Sequence, residues 1–416
     1  MKKNSIFNKM LPLFGVLLSC VLMMCIGINV SAANTQPTDL KQTAAAATKV
    51  TIGWTAPSTQ AGNSYNRIMF QCSKDGKTWV DKGAIDSKVT SATLIGIERG
   101  TSQYVRIKAV SYNEATKKIL VDGAWSEAIE VATIPYSVSG ITQTASTKTK
   151  ATFTWPEARG ANCYDVYVGT SYSNAKFKGR MTGRSVEVKG KQGYGYYVKV
   201  VPVRITINNA ENNRYAALGM ETWGTVKTNP KAVTLSKENS WERGSKSIDF
   251  TWTSSNKKVD GYQVKIYDSK SKVKATVNTK KTSYTFNKAK SNQYYKIKVR
   301  PYINVNDKKK YGSWSATGVS LMAPQITGVS QEDNKATVTW AAVKGASAYD
   351  IYAGSYPDIE SMTKIGTSNS TTFVTNAVQN NAAVTTNKRI YFCVKATKTV
   401  KGKTYTSLAS DAGFSN

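Results

Sequence analysis

Histidine is absent from all 416 residues. With it go Ser–His and Cys–His nucleophile pairs, imidazole acid–base work and histidine metal ligands. Cysteine is scarce: Cys20, Cys25, Cys72, Cys163 and Cys393, the last three scattered along the chain. Neither a disulfide framework nor a Cys-x-x-Cys knuckle can be assembled from them. Cys393 falls on the expected outward face of a strand and reads as structurally indifferent, with a reactive thiol the alternative. Acidic side chains are few, 26 Asp and Glu against 57 Lys and Arg. Asp165 and Asp350 occupy equivalent places beside tyrosines, so they read as echoes of a repeat on a solvated face, not as an acid–base pair. The chain also lacks a Gly-x-Gly-x-x-Gly cradle, a Gly-x-Ser-x-Gly elbow and an Asp-x-Asp-x-Asp-Gly calcium loop. It reads as a non-enzymatic protein without cofactor or metal.

Long apolar runs are also missing, with one exception. Residues 1–32 open with Lys2, Lys3 and Lys9, run apolar from Met10 to Val30, and reach Val30-Ser31-Ala32. A basic start, an apolar middle and small residues before a cut make a secretory signal peptide, with cleavage expected after Ala32. An uncleaved anchor is the alternative and the only expected membrane contact. Leu17-Leu18-Ser19-Cys20 is similar to a lipobox, but Cys20 stands in the middle of the apolar run, which makes lipoprotein processing the weaker reading. The remainder is expected outside the cell, secreted or held at the surface. The closing stretch Asp411–Asn416 shows no sorting signal, so retention on a wall would be noncovalent.

What the chain does have is one stretch used four times. Lys49-Val-Thr-Ile-Gly-Trp54, Lys150-Ala-Thr-Phe-Thr-Trp155, Ser247-Ile-Asp-Phe-Thr-Trp252 and Lys335-Ala-Thr-Val-Thr-Trp340 alternate apolar and mostly polar residues. Period two with Trp on the apolar face predicts a strand buried on one side. Pro37, Pro135, Pro230 and Pro324 recur at intervals of 98, 95 and 94 residues. Spacing near 95 is too long for a solenoid and fits separate domains on a string. The expected segments are 33–134, 135–229, 230–323 and 324–416 after the signal at 1–32.

Other landmarks keep their order within each segment. A second strand carries Tyr65, Tyr164, Tyr262 or Tyr349; a later one reads Tyr104-Val-Arg-Ile-Lys-Ala109, Tyr196-Tyr-Val-Lys-Val-Val-Pro202, Tyr295-Lys-Ile-Lys-Val-Arg-Pro301 or Tyr391-Phe-Cys-Val-Lys-Ala396. A terminal strand opens at Trp125-Ser, Trp223-Gly and Trp314-Ser, with Tyr405-Thr-Ser407 taken as the fourth. This order resembles the fibronectin type III domain, in copies from exported proteins of Gram-positive bacteria. The resemblance implies an all-β chain of four tandem immunoglobulin-like sandwiches. It also implies a tyrosine corner at Tyr196 and Tyr295. Tyr104 and Tyr391 stand one residue off that position.

Charge distinguishes the segments. Of the formal +31, the first 32 residues hold three and 230–323 hold +14, from twenty Lys and Arg against six acids. Alternation puts Lys296, Lys298 and Arg300 outward, with Lys265 beside them on the neighbouring strand and Lys308, Lys309 and Lys310 in the following loop. Such a face suits an anionic cell-wall polymer or acidic glycan; a solvated, edge-protecting surface is the competing reading. Eighteen of the twenty cations there are Lys, which points to diffuse, salt-sensitive contact and against sequence-specific nucleic-acid reading. Trp79 should fold back over its sandwich. Trp241, Tyr167 and Tyr352 are the candidate sugar-stacking rings, although packing at the seam of the second and third segments is the preferred reading for Trp241. The function expected is adhesion or binding by a monomer that can also meet a protein partner. The alternatives are a passive spacer and a glycan-binding module using exposed aromatics.

Overall fold

The computed structural model describes residues 35–57, 64–236, 241–242, 245–291, 293–332, 335–376 and 389–414. The expected signal segment, with Cys20 and Cys25, lies outside the described residues. Two compact units are distinguished. One gathers Gly53–Ala92 and Tyr104–Ile129; the other gathers Gln42–Ile52, Thr93–Gln103 and the chain from Glu130 onward.

Among the described residues, four three-stranded and four five-stranded sheets repeat one antiparallel plan. The third repeat shows it. Ile248–Thr253 lies between Thr234–Leu235 and Ser283–Phe286, and a second sheet runs Val273–Thr279, Gly261–Tyr267, Tyr295–Val305, Lys308–Tyr311. Gly318–Ser320 pairs with the first part of Tyr295–Val305. The paired sheets form β-sandwiches. In the second, third and fourth repeats the two sheets turn inner faces to one another and bury alternate residues.

The Trp strands behave as their alternation predicts. Ala151, Phe153 and Trp155 are buried, as are Ile248, Phe250 and Trp252, and Ala336, Val338 and Trp340; Val50, Ile52 and Trp54 are buried likewise. Each indole meets a ring of the crossing strand edge to face: Trp54 on Phe70, Trp155 on Tyr164, Trp252 on Tyr262 and Trp340 on Tyr349, with centroids 5.2–5.7 Å apart. Such pairs add directional contact to area burial. The tyrosine also keeps a polar tip, for its hydroxyl accepts from the Ala158 amide in the second repeat and from the Val343 amide in the fourth.

The corner expected at Tyr196 and Tyr295 is present. Tyr196 Oη accepts from the Lys191 amide at 2.7 Å, and Tyr295 Oη accepts from the Lys290 amide at 2.9 Å. Tyr104 and Tyr391, one residue away, point to the opposite face by the period of the strand and are only half-buried.

Several expectations differ from the structure. Trp241 is 2 % exposed and packs against Tyr295 within the third core, bridging to Met322; it is neither a surface ring nor seam packing between the second and third repeats. Cys393 is 1 % exposed. Its thiol is pushed up to about 11, chiefly by burial, with Ser410, Asp411, Lys395 and Asp358 near it. Outward alternation was right, but the returning chain at Ser410–Asp411 covers that face. Lys308–Tyr311 is a strand, not a loop. Asn306 and Asp307 both adopt positive φ, 48° and 57°, which makes the two-residue turn that folds a hairpin back with the sheet's own twist.

The fourth terminal strand starts later than expected. Ser126, Ser315 and Ser410 each donate an amide to the neighbouring strand, at Ile107, Val299 and Val394, and accept that residue's amide on Oγ. Ser410 is therefore the equivalent of the Trp-Ser sites, and Tyr405-Thr-Ser407 belongs to the preceding strand Lys403–Ala409.

Candidate functional site

On the third five-stranded sheet, Tyr295, Ile297 and Val299 are buried while Lys296, Lys298 and Arg300 alternate outward. Register places Lys298 opposite Lys265, Arg300 opposite Gln263 and Lys296 opposite Tyr267. Like charges face each other directly at Lys265 and Lys298, an arrangement that costs sheet stability.

Arg300 is clamped. Its guanidinium lies 3.7 Å from the Tyr311 ring centroid and 4.4 Å from that of Trp314, and Nε and Nη2 both donate to Gln263 Oε1. Lys265 Nζ lies 5.7 Å from the same indole. A ring face attracts a cation without neutralising it, so the charge remains. The first repeat holds an analogous stack: Arg106 sits 4.1 Å from Trp79 and 4.7 Å from Trp125, with Gln71 accepting from it. Trp79 thus folds back as its sequence position suggested.

The lysines are not one face. Tyr302 pairs with Tyr311, Asn304 with Lys309, Ile303 with Lys310 and Val305 with Lys308. Lys309 therefore shares the outer face with Arg300 and lies 5.2 Å from the Tyr302 ring, whereas Lys308 and Lys310 point the other way with the inward residues Ile303 and Val305.

Lys296 and Lys298 line a recess of about 320 Å³ together with Tyr267, Ser271, Thr317 and Val400. Lys296 Nζ donates to Ser271 Oγ at 3.0 Å. Val400 reaches in from the fourth repeat, at the end of the strand Tyr391–Val400, whose hairpin turns on Lys401 and Gly402, both at positive φ. That hairpin is braced: Tyr405 Oη donates to the Thr317 carbonyl at 2.5 Å, and Lys398 donates to the Gly345 carbonyl and lies 5.1 Å from the Tyr294 ring. Gly345, at φ +90°, allows the approach, because a Cβ there would stand 2.3 Å from Tyr294.

Among the described residues no carboxylate lies within 4 Å of Lys265, Lys296, Lys298 or Arg300. The other outer faces are different: Lys108 meets Asp122, Lys199 meets Glu221 and Lys364 meets Asp350. Asp165, expected on a solvated face, is 5 % exposed and takes both Nε and Nη2 of Arg180, at 2.6 and 2.8 Å. Its equivalent Asp350 meets Lys364 and Thr367. Both are cross-strand ion-pair residues.

Tyr352 is half-buried with Lys395 5.3 Å from its ring; burial, then Asp350, raises its hydroxyl pKa. Tyr167 is half-buried between Phe177 and Lys199. Among the described residues no group of three His, Cys, Asp or Glu side chains is placed to hold a metal ion.

The family model for the fibronectin type III domain matches residues 230–317, the third repeat. That segment is a fibronectin type III domain. The strand order that defines it recurs in the three other sheet pairs, making the chain a fibronectin type III repeat protein. Among solved structures, the FN1–FN3 domains of chicken CNTN1 are 18 % identical, covering 68 % of this chain and 97 % of that one at a TM-score of 0.29. A two fibronectin type III domain segment of chicken tenascin is also 18 % identical, covering 46 % of this chain and 99 % of its own length at a TM-score of 0.26. No curated protein matches the chain.

Proposed function

We propose that this fibronectin type III repeat protein is a secreted or surface-held, non-enzymatic binding protein. Its four domains, 33–134, 135–229, 230–323 and 324–416, follow a signal peptide at 1–32, and the third seats an anionic polymer, a wall polymer or acidic glycan. The observation that carries this reading is the recess of about 320 Å³ holding Lys296 and Lys298, two ammonium groups that have no carboxylate within 4 Å among the described residues. A phosphate, sulfate or carboxylate would relieve the facing Lys265–Lys298 pair and accept from Lys296 and the Ser271 hydroxyl. Binding of this kind is worth most where charges are already gathered and unanswered. Arg300 and Lys309 extend the positive strip along the sheet; Lys308 and Lys310 contribute long-range field only.

The test is binding of polyphosphate and of heparin to the whole chain across a salt series. Binding should weaken steeply as salt rises and should be lost in Lys296→Glu/Lys298→Glu while Lys308→Glu/Lys310→Glu retains most of it. Equal loss in both double variants would replace the recess by a general charge effect, and no binding of either probe would leave a spacer.

A further inference from the structure

The second repeat carries a surface of different chemistry. Register runs one cross-strand row over its five-stranded sheet: Phe177 opposite Tyr167, Tyr167 opposite Lys199, Lys199 opposite Trp223. Phe177 meets Tyr167 edge to face at 5.4 Å. Lys199 Nζ lies 4.2 Å from the Tyr167 centroid and 5.5 Å from that of Trp223. Tyr172 leans onto this row from the adjoining loop, 4.3 Å from Tyr197 and 5.0 Å from Trp223.

Five rings thus form one outer patch, and two of them stay open, Tyr172 at 60 % and Phe177 at 56 % exposure. The loop that presents Tyr172 is built, not loose. Asn174 Oδ1 accepts from the Ser171 amide and Asn174 Nδ2 donates to Thr170 Oγ1. Gly169 permits the fold-back, because a Cβ there would lie 2.4 Å from Asn174 Oδ1 and 2.7 Å from Ala175.

The patch is electrically balanced. Glu221 accepts from Trp223 Nε1 at 2.8 Å and from Lys199 at 3.0 Å, and Asp165 answers Arg180. In the first repeat two rings clamp Arg106 and in the third two rings clamp Arg300; here rings outnumber cations and their open faces have no intramolecular use.

We propose that this row binds an uncharged, β-linked pyranose chain. A sugar ring offers an apolar C–H face to a flat side chain and hydroxyls around its rim. Those hydroxyls can bond Glu221, Lys199 and the tyrosine hydroxyls, whereas an apolar protein surface would leave Lys199 and Glu221 desolvated beneath it. The two cations that share the face with the rings, Lys199 and Arg180, are both answered by carboxylates, which suits a neutral ligand. Four strands span three steps of roughly 4.8 Å, about 14 Å in all, the reach of a short oligosaccharide.

The experiment uses the whole chain with cellohexaose and chitohexaose, followed by calorimetry and tryptophan fluorescence at low and high sodium chloride. At least one probe should bind with little dependence on salt. Tyr172→Ala/Phe177→Ala, which removes only exposed rings, should weaken binding about tenfold or more, and Lys296→Glu/Lys298→Glu should leave it unchanged. Failure of both sugars to bind overturns the proposal, as does equal binding by the ring-deleted variant. Self-association of the wild type that Tyr172→Ala/Phe177→Ala abolishes also overturns it, in favour of a surface for a second copy.

Discussion

The second and third repeats place opposite chemistry on one backbone plan. Tyr167 and Lys199 face each other in the second; Lys265 and Lys298 occupy the same register in the third. The second answers its cations with Glu221 and Asp165 and surrounds them with rings, while the third sets lysine against lysine and stacks Arg300 between Tyr311 and Trp314. Their inner faces are nearly interchangeable: Trp155 on Tyr164 and Trp252 on Tyr262 have the same edge-to-face contact. Folding constrains one side of each strand, which leaves alternate positions free to set surface chemistry.

The comparison breaks first if the cores are not equivalent. Trp155→Ala and Trp252→Ala should each cost their own repeat about 3–5 kcal/mol, read as a separate early transition in urea for the repeat affected. A large difference between them would show that the shared contact does not carry the same load.

Next comes the difference itself. Asp165→Ala should destabilise the second repeat by about 1–1.5 kcal/mol, because it removes the buried carboxylate that takes two charge-assisted hydrogen bonds from the solvent-exposed Arg180. Gln263→Ala in the third should cost about 1 kcal/mol or less, since Arg300 keeps both rings. Removing the hydroxyl in Tyr295→Phe should cost about 1 kcal/mol through the freed Lys290 amide, and Tyr391→Phe, outside the corner, should be close to neutral. Chemical denaturation resolves both pairs.

The smallest effect has the opposite sign. Lys298→Gln should raise the stability of the third repeat by about 0.2–1 kcal/mol, by removing the like-charged pair with Lys265, while weakening polyphosphate binding. A gain in stability with unchanged binding would separate the lysine pair from the recess.

Alkaline titration sharpens the corner. Burial raises the Tyr295 hydroxyl above the ordinary tyrosine value of 10.0. A raised pKa means the folded state holds the proton more tightly, so this stabilisation is complete below about 10 and is lost as pH climbs through the folded value. Phenolate absorbance should lag in the folded chain, and Tyr295→Phe should reduce the lag. Cys393, raised to about 11, should resist maleimide at neutral pH until the fourth repeat unfolds.

Much of the fold was legible because its signal is periodic and is stated four times. One copy of Lys335-Ala-Thr-Val-Thr-Trp340 suggests a strand; four copies in fixed order with the same later landmarks specify a sandwich. The candidate site was only half legible. Alternation placed Lys296, Lys298 and Arg300 outward, but it could not show that Val400 of the next repeat walls the recess. It missed the hairpin at Asn306-Asp307, whose two positive-φ residues carry no glycine, and so put Lys308–Lys310 in a loop. Trp241 had no alternating neighbours to assign it a face, and its burial against Tyr295 and Met322 is a long-range contact. Alternation puts Cys393 on the outer face of its strand, yet the chain at Ser410–Asp411 lies over that face. The ring row on the second repeat had a trace in the sequence, Tyr167, Phe177, Tyr197 and Trp223 at outward positions, but only register aligns them.

The sequence by itself determined which side of each strand is buried, the order of the strands and the excess of lysine in the third repeat, because these follow from local period and composition. Tertiary structure alone decided which outward residues meet: strand register, hairpin turns and the approach of the next repeat bring together side chains separated by tens of residues. Local preference carries no information about those distances, and it is there that Lys296 and Lys298 share a recess and Tyr172 reaches Trp223.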